Sequence, residues 1–257
     1  MKLQILISTM DDRIFNIEFN KVYEYVIIHQ LRDLSRLEEY DNFIDNISKE
    51  VSISYHKMTD LGLSKSRNKA LEFSDADIVW IMDDDTKILD NAYSEIVSFF
   101  IDSDNDFISV LHYMGEKLIA KQKNNTKINA INSAKISSIN MVLSKSCVDS
   151  GVRFDENFGL GTSLPSGEEY IFITDLIHRN FKGCFTDIHG CIHTEELSSG
   201  KDFYSSKKLV LAKLYMFKRI FPKTYWFWIL LFFIKKLNKF SKHKPIFKSA
   251  LREFISK

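Results

Sequence analysis

Apolar residues recur in short runs through the first half of the chain, with polar clusters between them. Residues 3–8, 25–29 and 51–55 each read as a strand. The run Ile78-Val79-Trp80-Ile81-Met82 has no polar interruption, the pattern of a strand covered on both faces in a parallel sheet. Residues 107–112 and 139–143 repeat the signal. Between the strands the period becomes helical. Ser64 is placed to cap a helix that closes onto the sheet through Leu71 and Phe73. Residues 91–100 put Ala92, Ile96, Val97 and Phe100 on one face, and residues 145–150 form a short helix ending at Gly151. Strands alternating with helices predict βαβ units. The expected fold class is α/β, with a Rossmann-like, mixed but mostly parallel sheet flanked by helices.

The second half is less regular. Residues 115–135 are polar and rich in Asn and Lys, so a loop or irregular hairpin is expected. Residues 151–170 hold four of the nine glycines and one of the three prolines. Such a loop is a usual carrier of function. It leads into Glu168-Glu169, which open an apolar helix reaching His178. Ser166 with Glu169 three residues later predicts a capping box. A further strand is expected at 183–187, followed by His189 and His193.

Candidate chemistry gathers at Asp83-Asp84-Asp85, directly after the apolar run. Ligands of open α/β sheets bind outside the carboxyl ends of strands. Three adjacent carboxylates there repel one another unless a cation offsets them, and a hard divalent ion with oxygen ligands suits the position. Taken alone, an Asp triplet is equally a solvated turn.

Charge divides the chain. Residues 201–257 hold 15 Lys and Arg against 2 acidic residues, whereas residues 1–200 hold 20 against 32. A catalytic domain is therefore expected over 1–200 and a basic, aromatic-rich helical tail over 201–257. The tail shows an amphipathic helix pattern broken at Pro222, then a 10-residue apolar run, 225–234, too short to cross a bilayer at ~20 residues. Trp226 and Trp228 with flanking lysines suit an anionic membrane surface; packing on the catalytic domain or a homodimer contact is the other use of such a face. Nucleic acid is not expected as a partner, because the acidic body repels it. Three cysteines without a CxxC pair fit a reducing cytosol, and the short apolar N-terminus reads as a first strand rather than a signal peptide. The expected location is cytoplasmic, peripheral on the inner face of the plasma membrane.

In order along the chain stand a strand ending Ser8-Thr9, the segment Gly62-Leu63-Ser64-Lys65-Ser66-Arg67-Asn68, the Asp83–Asp85 tip, the Gly167-Glu168-Glu169 helix start and His193. This set resembles the family 2 glycosyltransferases of the GT-A fold, over about residues 1–200. More narrowly it is similar to bacterial enzymes of surface-polysaccharide synthesis. The resemblance implies a nucleotide-sugar donor such as a UDP-sugar, a glycan or lipid-linked acceptor, and Mn2+ or Mg2+. It implies donor contacts at Thr9, Arg67, Asn68, Asp83 and Asp84, and metal ligands at Asp85, Asp83 and His193. It also implies a general base at Glu169, where the family usually has Asp, so that Glu168 is an alternative. The transfer would invert the anomeric centre. Two rivals remain: a catalytically silent nucleotide-sugar or membrane-binding module, and a nucleotidyltransferase of similar sheet architecture. The second needs an early Gly-rich phosphate loop, which Ser8-Thr9-Met10-Asp11 lacks.

Overall fold

The computed structural model describes residues 1–119, 123–193 and 203–256. In chain order the elements are β1 (Leu3–Met10), β2 (Glu24–Gln30), α1 (Leu37–Ile47), β3 (Ser52–Met58), α2 (Leu63–Phe73), β4 (Ile78–Asp83), β5 (Thr86–Ile88), α3 (Ala92–Asp102), β6 (Phe107–Met114), β7 (Lys117–Leu118), β8 (Thr126–Lys127), β9 (Met141–Ser144), α4 (Lys145–Asp149), α5 (Glu168–His178), β10 (Gly183–His193), α6 (Lys207–Ile220), α7 (Tyr225–Lys235), α8 (Leu237–Lys242) and α9 (Lys244–Ile255). The sheet runs β3-β2-β1-β4-β9-β6-β10-β5, with β7 on β6 and β8 on β10. The first four strands are parallel; β9 and β5 run antiparallel to their neighbours, while β6 and β10 are parallel.

Alternation along the central strands explains their unbroken apolarity. Leu3, Ile5, Ile7, Ile78, Trp80 and Met82 enter one core with Tyr40 and Ile44 of α1 and Ile96 and Phe100 of α3. Leu6, Val79 and Ile81 enter the opposite core with Leu71 of α2, Val148 of α4 and Phe172 and Leu176 of α5. Side chains of successive strand residues point to opposite faces, so both faces must be apolar where helices cover both.

The sheet order also locates the site. From β1 the chain adds β2 and β3 on one side, then crosses through α2 to place β4 on the other. A crevice therefore opens above the ends of β1 and β4, where Ser8 pairs with Asp83.

Several local expectations are corrected. Ser64 does not cap α2: Gly62 holds the N-cap position, and the buried Ser64 hydroxyl donates to Phe158 O at 2.6 Å. The Ser166–Glu169 capping box does not form, because left-handed Gly167 (φ 105°) occupies the N-cap of α5. The strand expected at 183–187 continues to His193 as one bulged strand. Residues 115–135 contain the short strands β7 and β8 and a 3-10 turn at Asn132–Lys135.

The helical C-terminal part is packed against the body. Met216 and Ile220 of α6 share a cluster with Phe158, Tyr170 and Ile171, while Val210, Leu211 and Leu214 pack with Ile229, Ala250 and Phe254. Arg219 grips both Asp175 oxygens (3.1 and 2.7 Å) and Asp155 (3.1 Å), joining the basic tail to the acidic body. The expected boundary at 200/201 lies outside the described residues. Among the described residues, no helix is long and apolar enough to cross a membrane.

Candidate active site

The crevice is a cavity of about 460 Å3 at the carboxyl ends of β1 and β4. Its floor is built first by a turn. After β1, Asp11 takes a left-handed φ of 47°, a conformation Asp tolerates better than most residues. Its carboxylate accepts from Arg32 N at 2.9 Å, and its carbonyl accepts from His29 Nε2 at 2.9 Å. Because a carbonyl only accepts, His29 carries its proton on Nε2 and receives the Tyr55 hydroxyl on Nδ1 at 2.7 Å. Burial holds His29 below its ordinary pKa, so this support is neutral.

The turn folds Arg13 back over the aspartates. Arg13 Nε lies 3.0 Å from both Asp84 oxygens, and Nη2 reaches Asp85 Oδ2 at 3.0 Å. Thr9 Oγ1 donates to Asp84 Oδ2 at 2.7 Å. Asp84 is buried and engaged from both sides. Thr9 and Asp84 both line the cavity, yet their polar atoms bind one another.

Asp83 and Asp85 converge with His193, their ligand-type atoms all within 4.8 Å of one another; Asp84 stands outside this group. The three come from the β4 tip and from the end of β10, far apart in sequence. His193 Nε2 is 3.2 Å from Asp85 Oδ1. Burial lifts Asp85 above the ordinary carboxylate range; Asp83 and Asp84 add to this, and His193 and Arg13 oppose it. Two carboxylates and one imidazole, close and partly desolvated, are a donor set that fits Mn2+ or Mg2+. His189 instead contacts the Tyr113 hydroxyl.

Arg67 holds the opposite wall. It is 3% exposed, with Nη2 3.2 Å from Asp83 Oδ1 and Nη1 3.3 Å from Glu168 and 3.5 Å from Glu169. The N-terminus of α5 places Glu168 and Glu169 on this cation. Glu168 is buried, and its Oε2 has no hydrogen-bond partner among the described residues. Glu169 keeps about a quarter of its side chain exposed toward the cavity. Burial first, and then the Glu168 charge, hold Glu169 well above the ordinary carboxylate range, with Arg67 opposing. A carboxylate so raised is a stronger proton acceptor.

Asn68, expected at the nucleotide, sits elsewhere. Its side chain donates to Phe154 O (3.0 Å) and accepts from Phe154 N (2.7 Å), clamping the 151–167 loop. It does not line the cavity. The loop crosses at Gly159 (φ 104°), where a Cβ would lie 2.8 Å from Ser64 Oγ and 3.3 Å from Glu168. Only glycine lets it pass this close to α2 and the acidic pair.

The structure adds three site residues that the strand-centred sequence reading passes over. Arg13 lies only four residues beyond Thr9, but the Asp11 turn is what aims it. Ser138 donates to Asp83 at 3.3 and 3.4 Å from a 3-10 turn. Gln30, at the end of β2, accepts from Gly62 N at 2.7 Å and lines the cavity. Neither of the last two carries a local signal.

Residues 33–147 match the family model described as Glycosyl transferase family 2. The match includes Arg67 and Asp83–Asp85 and ends before Glu168, Glu169 and His193. No curated protein sequence matches the chain significantly. Among solved structures, S. aureus TarS 1-349 superposes with a TM-score of 0.64 at 16% identity, covering 99% of this chain and 80% of that one. The same protein in complex with UDP-GlcNAc gives 0.61 at 14% identity, covering 99% and 81%. The mannosyltransferase PcManGT from Pyrobaculum calidifontis, in complex with GDP-Man and Mn2+, gives 0.59 at 11% identity, covering 99% and 75%. The chain spans 39% of a longer TarS structure. The superpositions place the chain in the GT-A fold, and residues 33–147 carry its match to the glycosyltransferase family model.

Proposed function

We propose that the chain transfers a sugar, with inversion, from a nucleotide-sugar donor to a hydroxyl of a lipid-linked or cell-surface glycan. The observation carrying this is the convergence of Asp83, Asp85 and His193 with Arg67 and Glu169 on one cavity. Asp83, Asp85 and His193 would hold a divalent cation, which supplies charge neutralisation to the donor diphosphate. Arg13, already on the rim, adds a second positive charge. Glu169 accepts the acceptor's hydroxyl proton as that oxygen bonds to the anomeric carbon and the bond from carbon to diphosphate breaks. Displacement in one step inverts the centre; a retaining double displacement needs a second carboxylate acting as nucleophile. Glu168, buried against Arg67, is poorly placed for either role. UDP is the expected nucleotide, since a structure of similar fold is in complex with UDP.

A thermal-shift screen of nucleoside diphosphates tests this reading. UDP with Mn2+ is expected to stabilise the protein by about 3 kcal/mol at a hundredfold excess over Kd, and UDP alone by much less. Asp85→Ala should remove the metal-dependent part. Failure of every nucleoside diphosphate to stabilise, with metal present, would sink the proposal.

The tail supports membrane attachment. Trp226, Phe227, Leu230, Leu231, Ile234 and Leu237 expose large apolar side chains from α7 and the start of α8. Lys223, Lys235, Lys236, Lys239 and Lys242 flank them. Aromatic rings over lysines suit the interface of an anionic bilayer. The protein should co-sediment with phosphatidylglycerol vesicles, and Trp226→Asp with Leu230→Asp should release it; binding unchanged by both substitutions would remove the tail as the anchor.

A further inference from the structure

Tyr170, one residue past Glu169, lines a second cavity of about 570 Å3 that shares no lining residue with the first. It lies between the body and the tail. Ile131 and Ala134 face it from the body, Met216 and Phe217 from α6, and Trp228 and Phe232 from α7. The walls are therefore apolar and aromatic. Three cations also border it: Lys213, Lys235 and Lys236. No Asp or Glu lines it, and none of the three lysines forms an ion pair with a carboxylate among the described residues. Met216, which lines it, also packs against Gly167 at the N-cap of α5, so this end of the cavity lies near the helix start that carries Glu168 and Glu169. At the other end Leu231 and Lys235 belong both to the cavity and to the exposed face of α7.

Lys235 is exposed and Lys236 half-buried at the mouth of this cavity, while Lys213 at its inner end has its pKa lowered by burial, with the Glu169 and Glu168 charges opposing. A neutral glycan leaves the lysines unanswered. A bare phosphate leaves the aromatic walls unanswered. An amphiphile with a phosphate on an apolar chain answers both, and the volume is that of an ordinary ligand site, roughly 300–1,000 Å3. We propose that this cavity holds the phosphate and first chain carbons of a lipid-phosphate acceptor. Its lipid enters along the exposed face of α7, and the group it carries is presented to Glu169. This inference rests on the transferase reading above and names the acceptor's anchoring segment.

The test uses the full chain and farnesyl phosphate, followed by tryptophan fluorescence, because Trp228 lines the cavity. Farnesol and inorganic phosphate are the controls. Farnesyl phosphate should bind saturably and at least tenfold more tightly than either control. The double variant Lys235→Glu/Lys236→Glu should weaken it at least tenfold, and Ala134→Trp, which fills the exposed mouth, should do the same without altering charge. Both variants should keep the UDP–Mn2+ thermal shift. Equal binding by wild type and both variants would place the lipid elsewhere and overturn the proposal, as would farnesol binding as tightly as its phosphate. Loss of the UDP–Mn2+ shift in the wild type, with farnesyl phosphate behaving as expected, would instead support the cavity and defeat the transferase reading.

Discussion

Glu169→Gln is expected to cut sugar transfer by about 10²–10⁴-fold while leaving UDP–Mn2+ binding within about twofold, because the lost contribution is general-base catalysis. The amide keeps the size of the carboxylate and its place on α5, so the cavity is preserved. What disappears is the proton acceptor. The pH profile checks the assignment independently. Burial and Glu168 raise the Glu169 pKa, so the active, deprotonated form is gained only as pH rises through a midpoint well above the ~4.3 of a free Glu. Glu168→Gln removes the neighbouring charge and should move that midpoint toward acid. The same shift enters stability. A carboxyl with a folded pKa above its unfolded value favours the fold at low pH, and this contribution is lost as pH rises through the folded pKa. Steady-state kinetics across pH, with donor affinity measured separately, decide the matter. A Glu169→Gln enzyme that transfers at the wild-type rate would transfer the role elsewhere.

Arg67→Met should destabilise the protein by about 3–5 kcal/mol, the usual cost of deleting one partner of a buried ion pair. Arg67 is the shared counter-charge of Asp83, Glu168 and Glu169, two of them from α5 and one from β4. Without it, three carboxylates face one another across a partly dry space. Arg67 is what holds the raised Glu169 pKa down, so without it Glu169 rises further; the defect should then grow as pH increases and shrink as pH falls and Glu169 takes up its proton. Urea unfolding at several pH values measures this: the midpoint falls with an unchanged slope if only stability has altered. A loss smaller than about 1 kcal/mol at pH 8 would mean that the acidic pair is solvated and that Arg67 is not its anchor.

Much of the body is legible from pattern alone, and the reasons are local. The run ending at Asp83 has to be an inner strand, because five consecutive apolar residues need cover on both faces, and Trp80 is indeed fully buried. Its Asp tip and the Glu168-Glu169 helix start are equally visible. The helix α1 carries a readable stripe, Leu37, Tyr40, Ile44 and Ile47, which attention to strands passes over. The capping residues mislead for a physical reason. Ser64 and Ser166 are good N-caps by type, but Gly62 and Gly167 take positive φ that only glycine adopts easily, and these turns set the helix starts one or two residues away.

Strand–helix alternation, the acidic strand tip, the paired glutamates and the split between acidic body and basic tail are all written locally, since each follows from neighbours a few residues apart. Folding in three dimensions sets which side chains face one another. It turned Asp84 toward Thr9 and Arg13 rather than toward His193, and gave Asn68 to the loop instead of the cavity. It also packed Met216 of the tail against Gly167 at the start of α5, leaving an aromatic chamber between tail and body. Those outcomes depend on side-chain direction, burial and packing between segments far apart in the chain, which no local pattern encodes.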